Sequence, residues 1–290
     1  MKGKELYKIL QSDFKGTVFE SLLELSDCPK HMYYTGNLPD GSCKIITVVG
    51  SRAHTSYAAQ ALELVIFGLQ GQRVCIVSGL ALGIDAHAHK LALKYNIPTM
   101  AVPGSGLDQS VLYPASNSAL VTQIVESGGV MASEFEPTDR AARWTFPKRN
   151  RIMAAMSDLV LVVEAGEKSG TLITARNALE YNREVAVIPG SIFNEQARGS
   201  NNLLKHGAQI VTSAQDLLDL LGLEQTDIID KTYDDVDESE KKLLDCLSSP
   251  KTKDELQQEL GCETSELLQM VTILEIKGHV QEKLGQVYKI

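Results

Sequence analysis

Leu159-Val160-Leu161-Val162-Val163 is an unbroken apolar run. It leads through Glu164-Ala165-Gly166-Glu167-Lys168-Ser169-Gly170-Thr171 into the helix-period segment Leu172-Ile173-Thr174-Ala175-Arg176. A strand with one wet face alternates apolar and polar positions; a strand with no polar position must be covered on both faces, the condition of a parallel strand in an α/β sheet. The short turn into a helix completes a βα unit. Outward from this run the same alternation recurs. Strands are predicted at Ile45 to Val49, Val74 to Ser78, Thr99 to Val102, Val130 to Ser133, Glu184 to Ile188 and, weakly, Gln209 to Val211. Helices such as Tyr57 to Gln70, Gly83 to Lys94, Ser118 to Glu126, Ile152 to Met156 and Thr171 to Tyr181 lie between them. Residues 44–223 therefore predict an α/β domain, a mostly parallel, doubly wound sheet with flanking helices.

The flanks read differently. Residues 1–43 predict a short helical lead-in, Lys4 to Ile9 and then Val18 to Leu25, ending in the turn-rich Thr35-Gly36-Asn37-Leu38-Pro39-Asp40-Gly41. Residues 224–237 are polar and acidic, as in a linker. Residues 238–290 give a helix, then a capping box at Thr252-Lys253-Asp254-Glu255 opening a second helix that stops at Gly261. A third helix over Ser265 to Lys277 and an alternating tail around Gly285 follow. Three helices and a hairpin predict a small winged helix-turn-helix.

The formal net charge of -9 removes any general pull toward polyanions. Residues 224–290 hold 8 Lys and 16 Asp or Glu, so residues 1–223 carry only -1. A polyanion would need a local positive field, and Phe146-Pro147-Lys148-Arg149-Asn150-Arg151, with Arg140 and Arg143 upstream, is the place for one. Pro147 suits a first helical turn, which puts Lys148 and Arg151 on one face. An aromatic beside cations also suits single-stranded nucleic acid, because any base can stack while the cations follow the backbone. The same cluster equally fits a solvated helix face. Trp144, the single tryptophan, reads as a hydrophobic anchor or a second stacking ring.

In a doubly wound sheet, ligands sit beyond the carboxyl ends of the strands, at helix N-termini. Gly50-Ser51-Arg52 ends the first predicted strand and reads as a phosphate grip or an ordinary turn. Lys168-Ser169-Gly170-Thr171 opens a helix and reads as a phosphate seat or a plain cap, without the spacing of a P-loop. Gly104-Ser105-Gly106 lacks the third glycine of a dinucleotide fingerprint. His87 and His89 lie two apart on a predicted helix and so do not share a face for a metal. Neither cofactor nor metal is expected. The five scattered cysteines form no C-x-x-C pair, no apolar stretch approaches the length of a membrane span, and Met1 to Glu5 has no apolar signal core. A cytoplasmic location without membrane insertion is the expectation.

Taken in order, these blocks resemble the DprA/Smf family of DNA-processing proteins. The matching residues are Gly50-Ser51-Arg52, Ser78 to Asp85 with Ala88-His89, and Gly106-Leu107-Asp108 with Tyr113-Pro114 and Asn117. They continue with Ser133-Glu134, Phe146 to Arg151, Glu164 with Ser169 to Arg176, Pro189-Gly190-Ser191, and Gly199 to Leu203 with Gly207-Ala208. Lys148 departs from the family, standing where a small residue is frequent.

The resemblance implies an extended Rossmann-type fold and a non-catalytic protein of natural transformation. Such a protein binds and protects incoming single-stranded DNA, helps load the RecA recombinase, and self-associates as a homodimer. It further implies a DNA pocket of Ser51, Arg52, Lys148, Arg149, Asn150 and Arg151, with Phe146 on a base and Lys168, Ser169, Gly170 and Thr171 on phosphate. The rival is a nucleotide-processing hydrolase resembling the LOG phosphoribohydrolases, but their P-G-G-x-G-T stands here as Glu164 to Thr171. For the C-terminal unit, Glu263, Glu266 and Glu275 on the third helix would repel phosphate, which predicts protein contacts there rather than duplex DNA.

Overall fold

The computed structural model describes residues 5–224, 236–247, 250–283 and 285–289. The chain divides into two compact units, Met1–Thr226 and Asp227–Ile290. Most of the predicted linker, 225–235, lies outside the described residues.

In the first unit the strands are β1 Tyr7–Leu10, β2 His31–Thr35, β3 Lys44–Val49, β4 Val74–Ser78, β5 Thr99–Ala101, β6 Val130–Ser133, β7 Leu159–Val162, β8 Glu184–Val187 and β9 Gln209–Ile210. The helices are α1 Ser56–Phe67, α2 Ile84–Lys94, α3 Ser118–Glu126, α4 Thr145–Met156, α5 Thr171–Glu180, α6 Arg198–Lys205 and α7 Ala214–Leu221. They form one nine-stranded sheet in the order β1-β2-β6-β5-β4-β3-β7-β8-β9. Strands β3 to β9 are mutually parallel, whereas β1–β2 and β2–β6 pair antiparallel. The fold is the Rossmann-like, mostly parallel sheet that the apolar runs predict.

The opening run shows why. All of Leu159 to Val163 are 3% exposed or less. Leu159, Leu161 and Val163 pack with residues of α1, α2 and α7, while Val160 and Val162 meet Ile152, Met153 and Ala155 of α4 and Ala175 and Ala178 of α5. Both faces are thus covered, and each such side chain contributes about 1.5–3 kcal/mol by leaving water.

The N-terminal lead-in differs from expectation. Lys4 to Ile9 is not a helix: Tyr7–Leu10 forms β1, in register Tyr7 with Tyr34 and Leu10 with His31. Val18 to Leu25 retains only a 3₁₀ segment, Glu20–Glu24. A short apolar run does not distinguish helix from strand, and the otherwise open edge of β6 recruits β2 and then β1. Phe14, Phe19 and Leu22, all at 0% exposure, join the core beneath α4.

The second unit, taken by itself, comprises α8 Glu238–Cys246, β10 Lys251–Thr252, α9 Lys253–Leu260, α10 Thr264–Ile276, β11 Val280–Lys283 and β12 Gln286–Lys289. Its strands form an antiparallel sheet in the order β10-β12-β11. The predicted capping box is present: Glu255 N donates to Thr252 Oγ1 at 3.2 Å and Thr252 N to Glu255 Oε2 at 2.7 Å. Among the described residues, no helix is long and apolar enough to cross a membrane.

Candidate nucleic-acid interface

Chain order reverses at β3: β4 leaves to one side and β7 is inserted on the other. Such a switch point leaves a crevice between the outgoing loops, because the two connections run in opposite directions. Here the loop after β3 and the loop after β7 open a cavity of about 490 Å³. Nine of the eleven predicted site residues line it: Ser51, Arg52, Phe146, Arg149, Asn150, Lys168, Ser169, Gly170 and Thr171. Thr171 Oγ1 donates to Gly50 O at 3.0 Å, tying the start of α5 to the β3 loop.

These residues do not play equal parts. Arg52 and Lys168 are exposed and unconstrained by ion pairs among the described residues. The Arg52 guanidinium lies over the half-buried Phe146 ring, 5.7 Å from its centroid, and Tyr113 is tilted against the same ring at 5.8 Å. Arg149 is 5% exposed. Its Nη1 donates to Gly79 O and, at 2.5 Å, to Val102 O, and its Nε to Asn150 Oδ1 at 2.9 Å. Burial lowers its pKa to about 10, while the charge of Asp85 opposes that fall. Asp85 is buried in the same cavity wall, and burial pushes its carboxyl up even though Arg149 pulls it down. Arg149 thus lends positive potential from within the wall, and Arg52 and Lys168 are the cations free to touch a ligand.

Two glycines make room for this arrangement. A Cβ on Gly79 would overlap the Arg149 guanidinium, and one on Gly104 would stand 2.7 Å from Phe146 Cδ1. A side chain at either position would push the Arg149 guanidinium or the Phe146 ring out of its place.

Lys148 and Arg151 are placed elsewhere than expected. Arg151, 7% exposed, pairs with Glu134 at 2.6 Å and Asp27 at 3.0 Å, and Lys148 reaches Glu134 at 3.5 Å. The helical spacing does put Lys148 and Arg151 on one face, but that face meets Glu134 at the end of β6 instead of the cavity. Burial raises the Glu134 carboxyl, and Arg151 and Lys148 offset the rise. Trp144 is 63% exposed, edge-on to Phe135 with Lys148 above it, and so is no buried anchor.

Sequence reasoning missed the carboxylates that neutralise the cluster, Asp85 and Glu134, and it missed Gln196, which lines the cavity from the loop after β8. Glu164 is 2% exposed and accepts from Thr55 N and Oγ1, both at 2.9 Å, and from Asn194 Nδ2 at 2.8 Å. His87 stacks on His54, whereas His89 is buried with Nδ1 2.7 Å from Thr99 Oγ1, so the two point to different neighbours.

Residues 14–222 match the family model of DNA recombination-mediator protein A. The chain is 43% identical over 197 residues to the DNA processing protein DprA of Streptococcus pneumoniae, covering 68% of each protein. It is 41% identical over 200 residues to the Smf protein of Escherichia coli, covering 69% of this chain and 53% of that one. The crystal structure of the Streptococcus pneumoniae protein superposes with a TM-score of 0.68 over 74% of each chain at 38% identity. A structure of DNA processing protein A from Helicobacter pylori, described for its single-stranded DNA binding mode, gives 0.64 at 28% identity, covering 76% of this chain and 96% of that one.

Proposed function

Because the chain belongs to the DNA recombination-mediator protein A family, the DprA/Smf DNA-processing proteins, we propose that its switch-point cavity binds single-stranded DNA without sequence preference and without turnover. The observation that carries this reading is the Arg52 guanidinium over the Phe146 ring in a cavity that Lys168 also lines. A base can replace the arginine on the ring or share it, and the two cations bracket a phosphate path. The Helicobacter pylori relative, described for its single-stranded DNA binding mode, supports the same assignment.

Binding rather than hydrolysis is favoured by Glu164. A hydrolase of the LOG type would need that carboxylate free beside the turn, but both of its oxygens are committed to Thr55 and Asn194. On the same reading the protein acts in natural transformation, protects the incoming strand, helps load the RecA recombinase, and works as a homodimer in the cytoplasm. We read the second unit as a winged helix used for protein contacts. Its α10 presents Ile273 and Ile276, 43% and 81% exposed, together with exposed Glu263, Glu266 and Glu275. That surface suits an apolar partner and repels phosphate.

The test is Arg52→Ala. Affinity for labelled oligo(dT) is expected to fall about tenfold or more, and the log-log salt dependence to become shallower by about 0.7, the loss of one phosphate contact on a single strand. The thermal midpoint should stay put, since Arg52 is exposed. Unchanged affinity and salt slope, equal affinity of the wild type for duplex, or release of a free base from a nucleoside monophosphate would each count against the reading.

A further inference from the structure

The loop after β8 holds two of the most exposed apolar side chains among the described residues. Ile192 is 80% exposed and Phe193 92%. The backbone that carries them is nevertheless fixed on both sides. Tyr57 Oη donates to Pro189 O at 2.8 Å, and the Asn201 side chain accepts from Gly190 N at 3.0 Å and donates to Gly190 O at 2.9 Å. Beyond the tip, Asn194 N donates to Ser191 O at 3.0 Å and Asn194 Nδ2 to Glu164 Oε1 at 2.8 Å. A rigid turn thus holds a bare phenyl ring in water. Such preorganisation suits a ring that waits for a partner, since little ordering is left to do on binding.

The sheet order says which partner. Along β5-β4-β3-β7-β8 the carboxyl-end loops carry, in turn, Gly104 under Phe146, Arg149 hydrogen-bonded to Gly79, Arg52, Lys168 to Thr171, and the 189–196 loop. Gln196, three residues past Phe193, lines the cavity itself. The 189–196 loop follows β8, two inter-strand steps of about 4.8 Å beyond β3, whose loop sets Arg52 over the Phe146 ring. Aromatic platforms with cations between them are what a single strand requires. The acidic neighbour Glu195 is turned toward Arg198, 3.6 Å away.

Resting on the DNA-binding reading above, we propose that Phe193, with Ile192 beside it, is a second base-stacking platform. It takes a nucleobase of the same strand whose phosphates pass Arg52 and Lys168. Phe146 then holds one end of the track and Phe193 the other.

The test compares oligo(dT) of about 4 and about 20 nucleotides, bracketing common single-strand site sizes. Phe193→Ala in the full chain is expected to weaken the longer oligomer at least about fivefold and to leave the shorter one, which fills only the cavity, unchanged. Phe193→Trp in a Trp144→Phe background should be quenched by the longer oligomer only. Wild-type affinity of Phe193→Ala for the longer oligomer, with Arg52→Ala weakened, overturns the platform and leaves the DNA reading standing. Indifference of both variants overturns both. Equal loss at both lengths, or reduced self-association with DNA binding intact, assigns the loop to cavity shape or to a protein interface and also overturns the proposal.

Discussion

Arg149→Ala is expected to lower the thermal midpoint of the first unit by about 6 to 20 °C, and to weaken DNA binding as well, because the wall loses both its order and its positive potential. The guanidinium is buried and makes three hydrogen bonds, two of them to the carbonyls of Gly79 and Val102 at the ends of β4 and β5. Its removal opens those carbonyls and takes away the stronger of the two positive charges, Arg149 and Arg52, that hold the buried Asp85 carboxyl down. A hydrogen bond made by a charged group is worth about 1.5–3 kcal/mol, so losing these buried ones, with some relaxation of the wall, costs about 3–5 kcal/mol. In a domain of this size each kilocalorie moves the midpoint by about 2–4 °C. Net stability is of order 5–15 kcal/mol, so a large part of it goes. Adding Asp85→Asn to Arg149→Ala should restore part of the loss, because the buried charge is then gone. Calorimetry decides: an unchanged midpoint with weakened DNA binding would make Arg149 a direct contact and not a wall.

The second large effect is acid sensitivity through His89. This imidazole has 0% exposure, and burial lowers its pKa from the ordinary 6.5 to about 3, with the charge of Arg149 acting in the same direction. In the fold His89 stays neutral down to about pH 3, whereas in the unfolded chain it takes a proton below 6.5. Between those values the unfolded chain binds more protons, so stability is full above pH 6.5 and is lost as pH falls. The slope is about 1.4 kcal/mol per pH unit, or about 2 kcal/mol by pH 5. His31 and His87 are shifted the same way by burial, but both are partly exposed and contribute less. The carboxylates held below their ordinary range, such as Asp216 and Glu255, act only at lower pH. Urea unfolding of the wild type and of His89→Gln at pH 7, 6 and 5 measures it. The variant should be less stable at pH 7 yet lose less on acidification; an equal loss in both would assign the slope to other groups.

The parallel part of the sheet was legible because its strands announce themselves by what they lack. Leu159 to Val163 has no polar position, and Val74 to Ser78 has only its last. Gly50 to Arg52 and Lys168 to Thr171 were legible for a topological reason, since both follow strands whose carboxyl ends the βαβ rule brings to one edge. Orientation around α4 was not. Periodicity states that Lys148 and Arg151 share a face, but only Glu134, delivered by β6 from elsewhere in the chain, says what that face meets. Arg149 illustrates the same limit from the other side. Its burial depends on space left by Gly79, 70 residues away, and a glycine in a loop reads as a turn until something is seen to occupy the gap. Strands β1 and β2 were missed because β1 is four residues long and owes its conformation to an edge that β6 supplies.

The position of β7 beside β3 carries a consequence for the order in which a newly made chain acquires its parts. During synthesis β3 meets β4 almost at once, but its other neighbour is made much later; Thr55 and Glu164, which clasp the two loops together, are 109 residues apart. Contacts of such separation close late, after the local helices and hairpins have formed. The seam of greatest sequence separation in the parallel sheet is the seam that holds the cavity. A chain released before α5 is begun would own Arg52 and Phe146 but not the Lys168 to Thr171 turn, so the capacity to grip a strand arrives only once β7 has been set beside β3.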